Sequence, residues 1–250
     1  MSQPHALQTH PLLLKLLTPG AISAHLARDP RLIVPVGTTE QHGPHLPLGC
    51  DTLIVEHLAD DLSAAFQVLR APTIEYGVNA ASRLDFPGAA TVRRKTLHRF
   101  LNDLVGCWER GGVREFIILT AHGQDPHQEA LSSVRTRAAR VQTVDIFSMP
   151  LEHIASSAGA PIHGGEVDTS LLMFLNQELV AIDQAQDFVP ARKDLRRYAR
   201  GGQRAIPDAS PGSLGSPTLS SQETGAALYR AIRDRIAERV FGSRPARGGT

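Results

Sequence analysis

The chain has 250 residues, 42% of them apolar and 20% charged, with 26 basic against 25 acidic side chains for a net charge of +1. That balance excludes a disordered or fibrous chain, gives no pull toward nucleic acid or an anionic membrane surface, and leaves no apolar run near the ~20 residues that cross a bilayer. Two cysteines, Cys50 and Cys107, are too few for a disulfide scaffold, so the expected setting is a reducing cytoplasm.

Short β-type runs alternate with helical stretches, which predicts an α/β fold with a mostly parallel sheet. The apolar patch from Leu12 to Leu17, interrupted by Lys15, reads as a short helix or docking segment. Leu32 to Val36 is a buried strand. Thr52 to Phe66 is a helix, with Ile54, Leu58, Leu62 and Phe66 on one face. Val68 to Thr73 is a weaker strand. Lys95 to Arg110 is a helix ended by Gly111 and Gly112. Glu115 to Thr120 is the clearest buried strand. A polar helix follows from Pro126 to Arg140, then a strand from Thr143 to Phe147, then an apolar helix from Thr169 to Leu179. From Arg192 to Thr218 the pattern dissolves into Arg, Gly, Pro and Ser, a length that marks a functional or irregular loop. Ser220 or Ser221 caps a last helix that runs to about Val240, with Glu223 available for a capping contact.

Three polar clusters carry the chemistry. The first, Gly37 to Asp51 (GTTEQHGPHLPLGCD), directly follows a buried strand, where open α/β sheets bind ligands. Glu40 and His42 are two apart and project to one side of an extended segment. They are an oxygen and a nitrogen donor of the kind zinc, manganese or iron prefers. Gly43, Pro44 and Pro47 form a turn that could return Asp51 to the same point. Asp51 is also placed to cap the following helix, and His45 to donate within the turn. The second cluster, Ala121-His122-Gly123-Gln124-Asp125, again follows a strand. His122 is its functional candidate, and Asp125 is expected to cap the helix beginning at Pro126. The third, His163-Gly-Gly-Glu166-Val-Asp168-Thr169-Ser170, reads as a loop entering a helix, where both acids are favoured by the helix dipole.

Together these clusters resemble the creatininase family of metal-dependent amidohydrolases. Two further segments agree: Asp85 to Thr91 (DFPGAAT) and Gly215 to Gly225. The resemblance spans residues 30 to 240. It implies one creatininase-like hydrolase domain over 1–241, with a tail over 242–250, folded as a three-layer α/β/α sandwich and assembled as a homo-oligomer, often a hexamer. It also implies two divalent metal ions (zinc, manganese or iron). Glu40, His42, Asp51 and His122 correspond to ligands, with Asp51 bridging, and His163 matches a catalytic histidine. The family's further ligand is a glutamate two places after the histidine of the second cluster. Here that place holds Gln124, so Glu166 is expected to complete the site and to join His163 in catalysis.

Three departures from the family pattern stand out. The usual Asn-Gly-His-Gly-Gly-Asn turn is Thr-Ala-His-Gly-Gln-Asp, Asp168 replaces a glutamate, and the single tryptophan, Trp108, falls in an amphipathic helix instead of beside the substrate. The expected reaction is hydrolysis of a non-peptide C–N bond, in a cyclic amide or formamide. Lactone, ester or peptide hydrolysis, or a metal-binding accessory role without turnover, are the alternatives. The arginines between Arg192 and Arg204, Arg196 and Arg197 among them, suggest a small substrate bearing an anionic group. No nucleic-acid or membrane partner is expected.

Overall fold

The computed structural model describes residues 10–79, 86–151, 153–156, 163–191, 206–207 and 209–242. The arginine-rich segment from Arg192 to Arg204 lies outside them, as do residues 243–250 of the tail. Five strands, β1 (Leu12–Leu13), β2 (Arg31–Val36), β3 (Leu69–Arg70), β4 (Glu115–Thr120) and β5 (Arg140–Asp145), form one sheet in the order β1-β3-β2-β4-β5. Every pairing is parallel. The helices are α1 (Pro19–Leu26), α2 (Cys50–Phe66), α3 (Arg94–Arg110), α4 (Asp125–Ser132), α5 (Glu166–Asn176) and α6 (Gln222–Phe241).

Between their ends the central strands β2 and β4 are apolar because both faces are covered. Their alternation divides the core in two. Ile33, Ile117 and Leu119 point into a layer with Leu58 and Leu62 of α2, Leu171 of α5 and Ile232 of α6. Leu32, Val34, Val36, Phe116 and Ile118 point to the opposite layer with Leu26, Leu97, Leu101 and Leu131. The result is the expected three-layer α/β/α sandwich. Trp108 is partly buried against the second layer. With Tyr76 and Phe100 it borders an outer groove of about 570 Å³ that none of the candidate site residues lines.

Several local expectations give way to tertiary pairing. The patch from Leu12 to Leu17 is not a single helix. Leu12 and Leu13 join the sheet edge beside Leu69 and Arg70, Leu12 N–H donates to Ser63 Oγ at 2.8 Å, and a 3-10 turn follows at Leu14–Leu16. Helix α1 was not anticipated, although Thr18 accepts from Ala21 N–H and Pro19 opens the helix. The strand expected over residues 68–73 is only Leu69–Arg70. Helix α4 stops at Ser132, well short of Arg140, because Arg140 is already paired with Glu115 in the sheet. The turn before β5 is held by the Glu109 carboxylate of α3, which accepts from the N–H groups of Arg137, Ala138 and Ala139. Helix α5 starts three residues earlier than Thr169 and ends at Asn176, where a 3-10 turn continues to Leu179. Ser221 does cap α6, accepting from Thr224 N–H at 3.0 Å, and Gly242 ends it in the left-handed region. Among the described residues no helix is long and apolar enough to cross a membrane.

Candidate metal centre

The site is set by strand register. In the β2–β4 pairing Val36 lies opposite Thr120, so the segments leaving the two C-terminal strand ends start side by side. Gly37 permits the first to pass close over α2: a Cβ there would lie 2.3 Å from Thr52 Oγ1. Gly164 (φ +60°) performs the same service for the third cluster, since a Cβ would meet the His42 carbonyl at 2.4 Å. The three clusters therefore converge, although as many as 126 positions separate Glu40 from Glu166.

Glu40, Asp51 and His122 each present a ligand atom within 4.8 Å of the others. Their side chains are 0%, 3% and 4% exposed. His122 Nδ1 is 3.1 Å from Glu40 Oε2 and 3.1 Å from Asp51 Oδ2. On the other side of Asp51, His42 Nε2 is 3.2 Å from Oδ1. One carboxylate thus faces an imidazole with each of its oxygens. Thr38 Oγ1–H donates to Asp51 Oδ2 at 2.6 Å and steadies it.

Two backbone carbonyls set both imidazoles. His122 Nε2 donates to the Val78 carbonyl at 3.0 Å, and His42 Nδ1 donates to the Glu40 carbonyl at 3.1 Å. A carbonyl can only accept, so each neutral ring turns a bare nitrogen toward the carboxylates. Lone pairs facing carboxylate oxygens at 3.1–3.2 Å repel unless a metal ion or a proton lies between them. Two buried carboxylates and two imidazole lone pairs aimed at a common point are a donor set for a divalent metal, with the ring orientation fixed from behind as such sites require. With no metal bound, a proton on the ring can take the cation's place between imidazole and carboxylate. Burial opposes charge on both groups, yet the His42 ring and the hydrogen bonds and charge of His122 hold Asp51 well below the usual carboxylate range. The Asp51 carboxylate in turn raises His42 against its own desolvation, and Asp168 adds to this.

His163 also reaches the centre, with Nε2 3.9 Å from Glu40 Oε1 and its ring 4.4 Å from that of His42. Glu166 is buried at the first turn of α5, where its Oε1 accepts from Ser156 N–H at 2.9 Å, and it is not one of the three donors that lie within 4.8 Å of one another. Gln124 is buried in the position before α4 and makes no side-chain cap there. Asp51 is not the N-cap of α2. The helix begins at Cys50 with Gly49 in the cap position, which places Asp51 in the first turn. Asp125 likewise lies inside α4 and does not cap it. Asp168 accepts from Gly164 N–H at 2.7 Å and so ties the glycine turn to α5. His45 bonds Thr169 Oγ1 through Nε2 at 2.9 Å, away from the three-donor group, and burial brings it down to about 4.

Sequence reasoning missed the residues behind the donors. His127 is fully buried. Val78 N–H donates to its Nδ1 at 3.3 Å, so its Nε2–H faces Thr120 Oγ1 at 3.1 Å. Desolvation, with the neighbouring His122 adding to it, keeps this ring well below its usual value and therefore neutral. Val78 thus receives support from His127 through its N–H and gives support to His122 through its carbonyl. The spacing of His122 and His127 across a helix start carried no such signal.

Buried carboxylates and carbonyl-oriented imidazoles at the C-terminal edge of a parallel sheet form a candidate metal site of the kind metal-dependent hydrolases use. Comparison with known proteins agrees. The profile of the creatininase family, described as creatinine amidohydrolase, matches residues 15–240. The chain is 28% identical over 228 residues to the mycofactocin precursor peptide peptidase of Mycolicibacterium smegmatis, covering 88% of each chain. It is 25% identical over 252 residues to the 3-dehydro-scyllo-inosose hydrolase of Thermotoga maritima, covering 90% of this chain and 81% of the relative. A crystal structure of creatinine amidohydrolase (creatininase) superimposes with a TM-score of 0.73 at 21% identity, covering 91% of this chain and 97% of that one. The chain belongs to the creatininase family.

Proposed function

We propose that the chain hydrolyses the carbonyl–nitrogen bond of a small cyclic amide or formamide at a two-metal centre held by Glu40, His42, Asp51, His122 and Glu166. The observation that carries this reading is the convergence of Glu40, Asp51 and His122 Nδ1 within 4.8 Å, with His42 on the far oxygen of Asp51. A bound divalent metal lowers the pKa of water to near neutrality and polarises a carbonyl. Asp51, with one oxygen toward each imidazole, is suited to bridge. His163, beside Glu40, accepts a proton from water and returns it to the departing nitrogen, a task within reach of an imidazole's intrinsic pKa of about 6.5. Solved creatininases include a manganese form and a zinc–zinc form, which makes these two metals the first to test. A cytoplasmic homo-oligomer, a hexamer as in the family resemblance, completes the proposal.

A peptide amide is the second reading, favoured by the relatives that carry the name mycofactocin precursor peptide peptidase. The same centre would serve either bond. Metal-loaded protein should be assayed with creatinine, matched neutral and anionic cyclic amides, an N-substituted formamide, short peptides and a lactone. Release of amine from the small amides is the expected result. Cleavage confined to peptides would replace the first reading with the second, and inertness toward every substrate would support a metal-binding accessory role.

The last ligand has its own test. Glu166→Gln should weaken metal affinity about 10- to 100-fold or more, whereas Gln124→Ala should leave metal content unchanged, as measured by elemental analysis after dialysis. The reverse pattern would transfer the ligand role to Gln124.

A further inference from the structure

Gln41, between the two candidate ligands Glu40 and His42, is buried and uses every polar atom of its side chain. Gly43 N–H donates to Oε1 at 2.9 Å, and Nε2 donates to the Gly212 carbonyl at 2.8 Å. A backbone N–H can only donate and a carbonyl can only accept, so these two contacts fix which end of the amide is nitrogen. The second hydrogen of that NH₂ group then faces His163 Nε2 at 3.1 Å. A nitrogen that receives a hydrogen bond must present a lone pair. The neutral ring therefore carries its own proton on Nδ1.

The loop behind this contact is built for it. Gly212 has φ +113°, and a Cβ there would lie 2.3 Å from Gln41 Oε1, so only glycine leaves room for the amide. Gly212 N–H donates to Ser210 Oγ at 3.1 Å, and Ser210 Oγ–H donates to the Ser213 carbonyl at 2.6 Å. Two residues on, Leu214 N–H donates to the His163 carbonyl at 2.8 Å. One loop thus holds both Gln41 and His163.

We propose that Gln41 is the positioning residue that holds His163 in the Nδ1–H tautomer, with the Nε2 lone pair held on the Gln41 amide beside Glu40. The consequence for catalysis rests on the proton-carrying role proposed above for His163. That lone pair can take a proton from water, as the water oxygen bonds to the carbonyl carbon, in exchange for the Gln41 contact. It releases that proton to the nitrogen, which leaves with the electron pair of the broken C–N bond, and the ring ends neutral as it began. The opposite tautomer would present an N–H to the water and could not accept.

The test is a long-range ¹H–¹⁵N correlation spectrum of the zinc-loaded full chain labelled at its 11 histidines, with His163 assigned by the signals lost in His163→Gln. Wild type should show a pyridine-type Nε2 and a pyrrole-type Nδ1 for His163. Gln41→Glu replaces the donating NH₂ with an oxygen that only accepts, and should move Nε2 to the pyrrole-type range in the folded, zinc-loaded variant. A pyrrole-type Nε2 in wild type, or an unchanged pattern in Gln41→Glu, would overturn the proposal. Should Gln41→Glu not fold, the wild-type spectrum alone decides. Turnover separates this from the functional reading: His163→Gln should lower kcat about 10²- to 10⁴-fold on an amide that wild type hydrolyses. Undiminished turnover in that variant would remove the proton-carrying role and leave the tautomer assignment standing.

Discussion

Stripped of metal by a chelator, the protein should lose all measurable hydrolysis, and its thermal midpoint should fall by about 5–10 °C. Both effects come from one cause. Glu40 and Asp51 are buried side by side, with the bare nitrogens of His42 and His122 turned toward them. Without a cation these groups repel or must take up protons, and buried charge without compensation is costly. A metal that binds only the folded state, at 100 times its dissociation constant, stabilises it by about 2.7 kcal/mol. For a chain of this size each kcal/mol corresponds to about 2–4 °C. Calorimetry with and without zinc or manganese, beside an activity assay, reads both quantities. Full activity in metal-stripped protein would sink the hydrolytic mechanism. An unmoved midpoint would show that the folded apo-protein resolves the carboxylate pair by protonation. Asp51→Asn should reproduce the loss in a single residue, because Asp51 is the carboxylate that faces both imidazoles.

Gly225→Ala should destabilise the fold by about 3 kcal/mol or more, at the upper end of what overpacking costs. Helices α5 and α6 cross at this point so closely that a Cβ on Gly225 would sit 1.8 Å from the Ser170 carbonyl oxygen and 2.9 Å from Phe174 Cβ. Both are parts of α5 with no freedom to turn aside. The methyl group can be admitted only by separating the helices. Helix α5 begins with Glu166 and carries Asp168, whose Oδ2 accepts from Gly164 N–H. Separation therefore disturbs the site as well as the core. A midpoint lowered by about 6–12 °C in a thermal melt, with weakened metal binding, is the expected outcome. Gly20→Ala, where a Cβ meets nothing within 4 Å, is the matched control and should change little. Equal melting of the two variants would mean that the helices can part without loss.

Much of the architecture was legible in the residues themselves. Leu32 to Val36 and Glu115 to Thr120 read as buried strands because both sheet faces are covered and the residues between their ends are apolar. The structure extends the first by only one residue and keeps the second unchanged. Ser221 was legible as a cap because capping is a contact over three residues. Glu40, Asp51 and His122 were legible as candidate metal donors because they lie in polar clusters that follow strand ends, and the family resemblance rested on those same residues.

What the tertiary structure decided was everything that depends on a partner far along the chain. Leu12 and Leu13 became a strand only because Leu69 and Arg70 offered an open edge. Helix α4 ended early because β5 had to register against β4. The orientation of His122 comes from a carbonyl 44 positions away, and that of Gln41 from one 171 positions away. Local propensity holds no information about such contacts, since their chain-closure entropy is met only when the whole sheet and its helices assemble. The sequence by itself determined which side chains could bind a metal and at which strand ends they sit. The register of β2 on β4, and the carbonyls and amides behind each imidazole, determined where their lone pairs point.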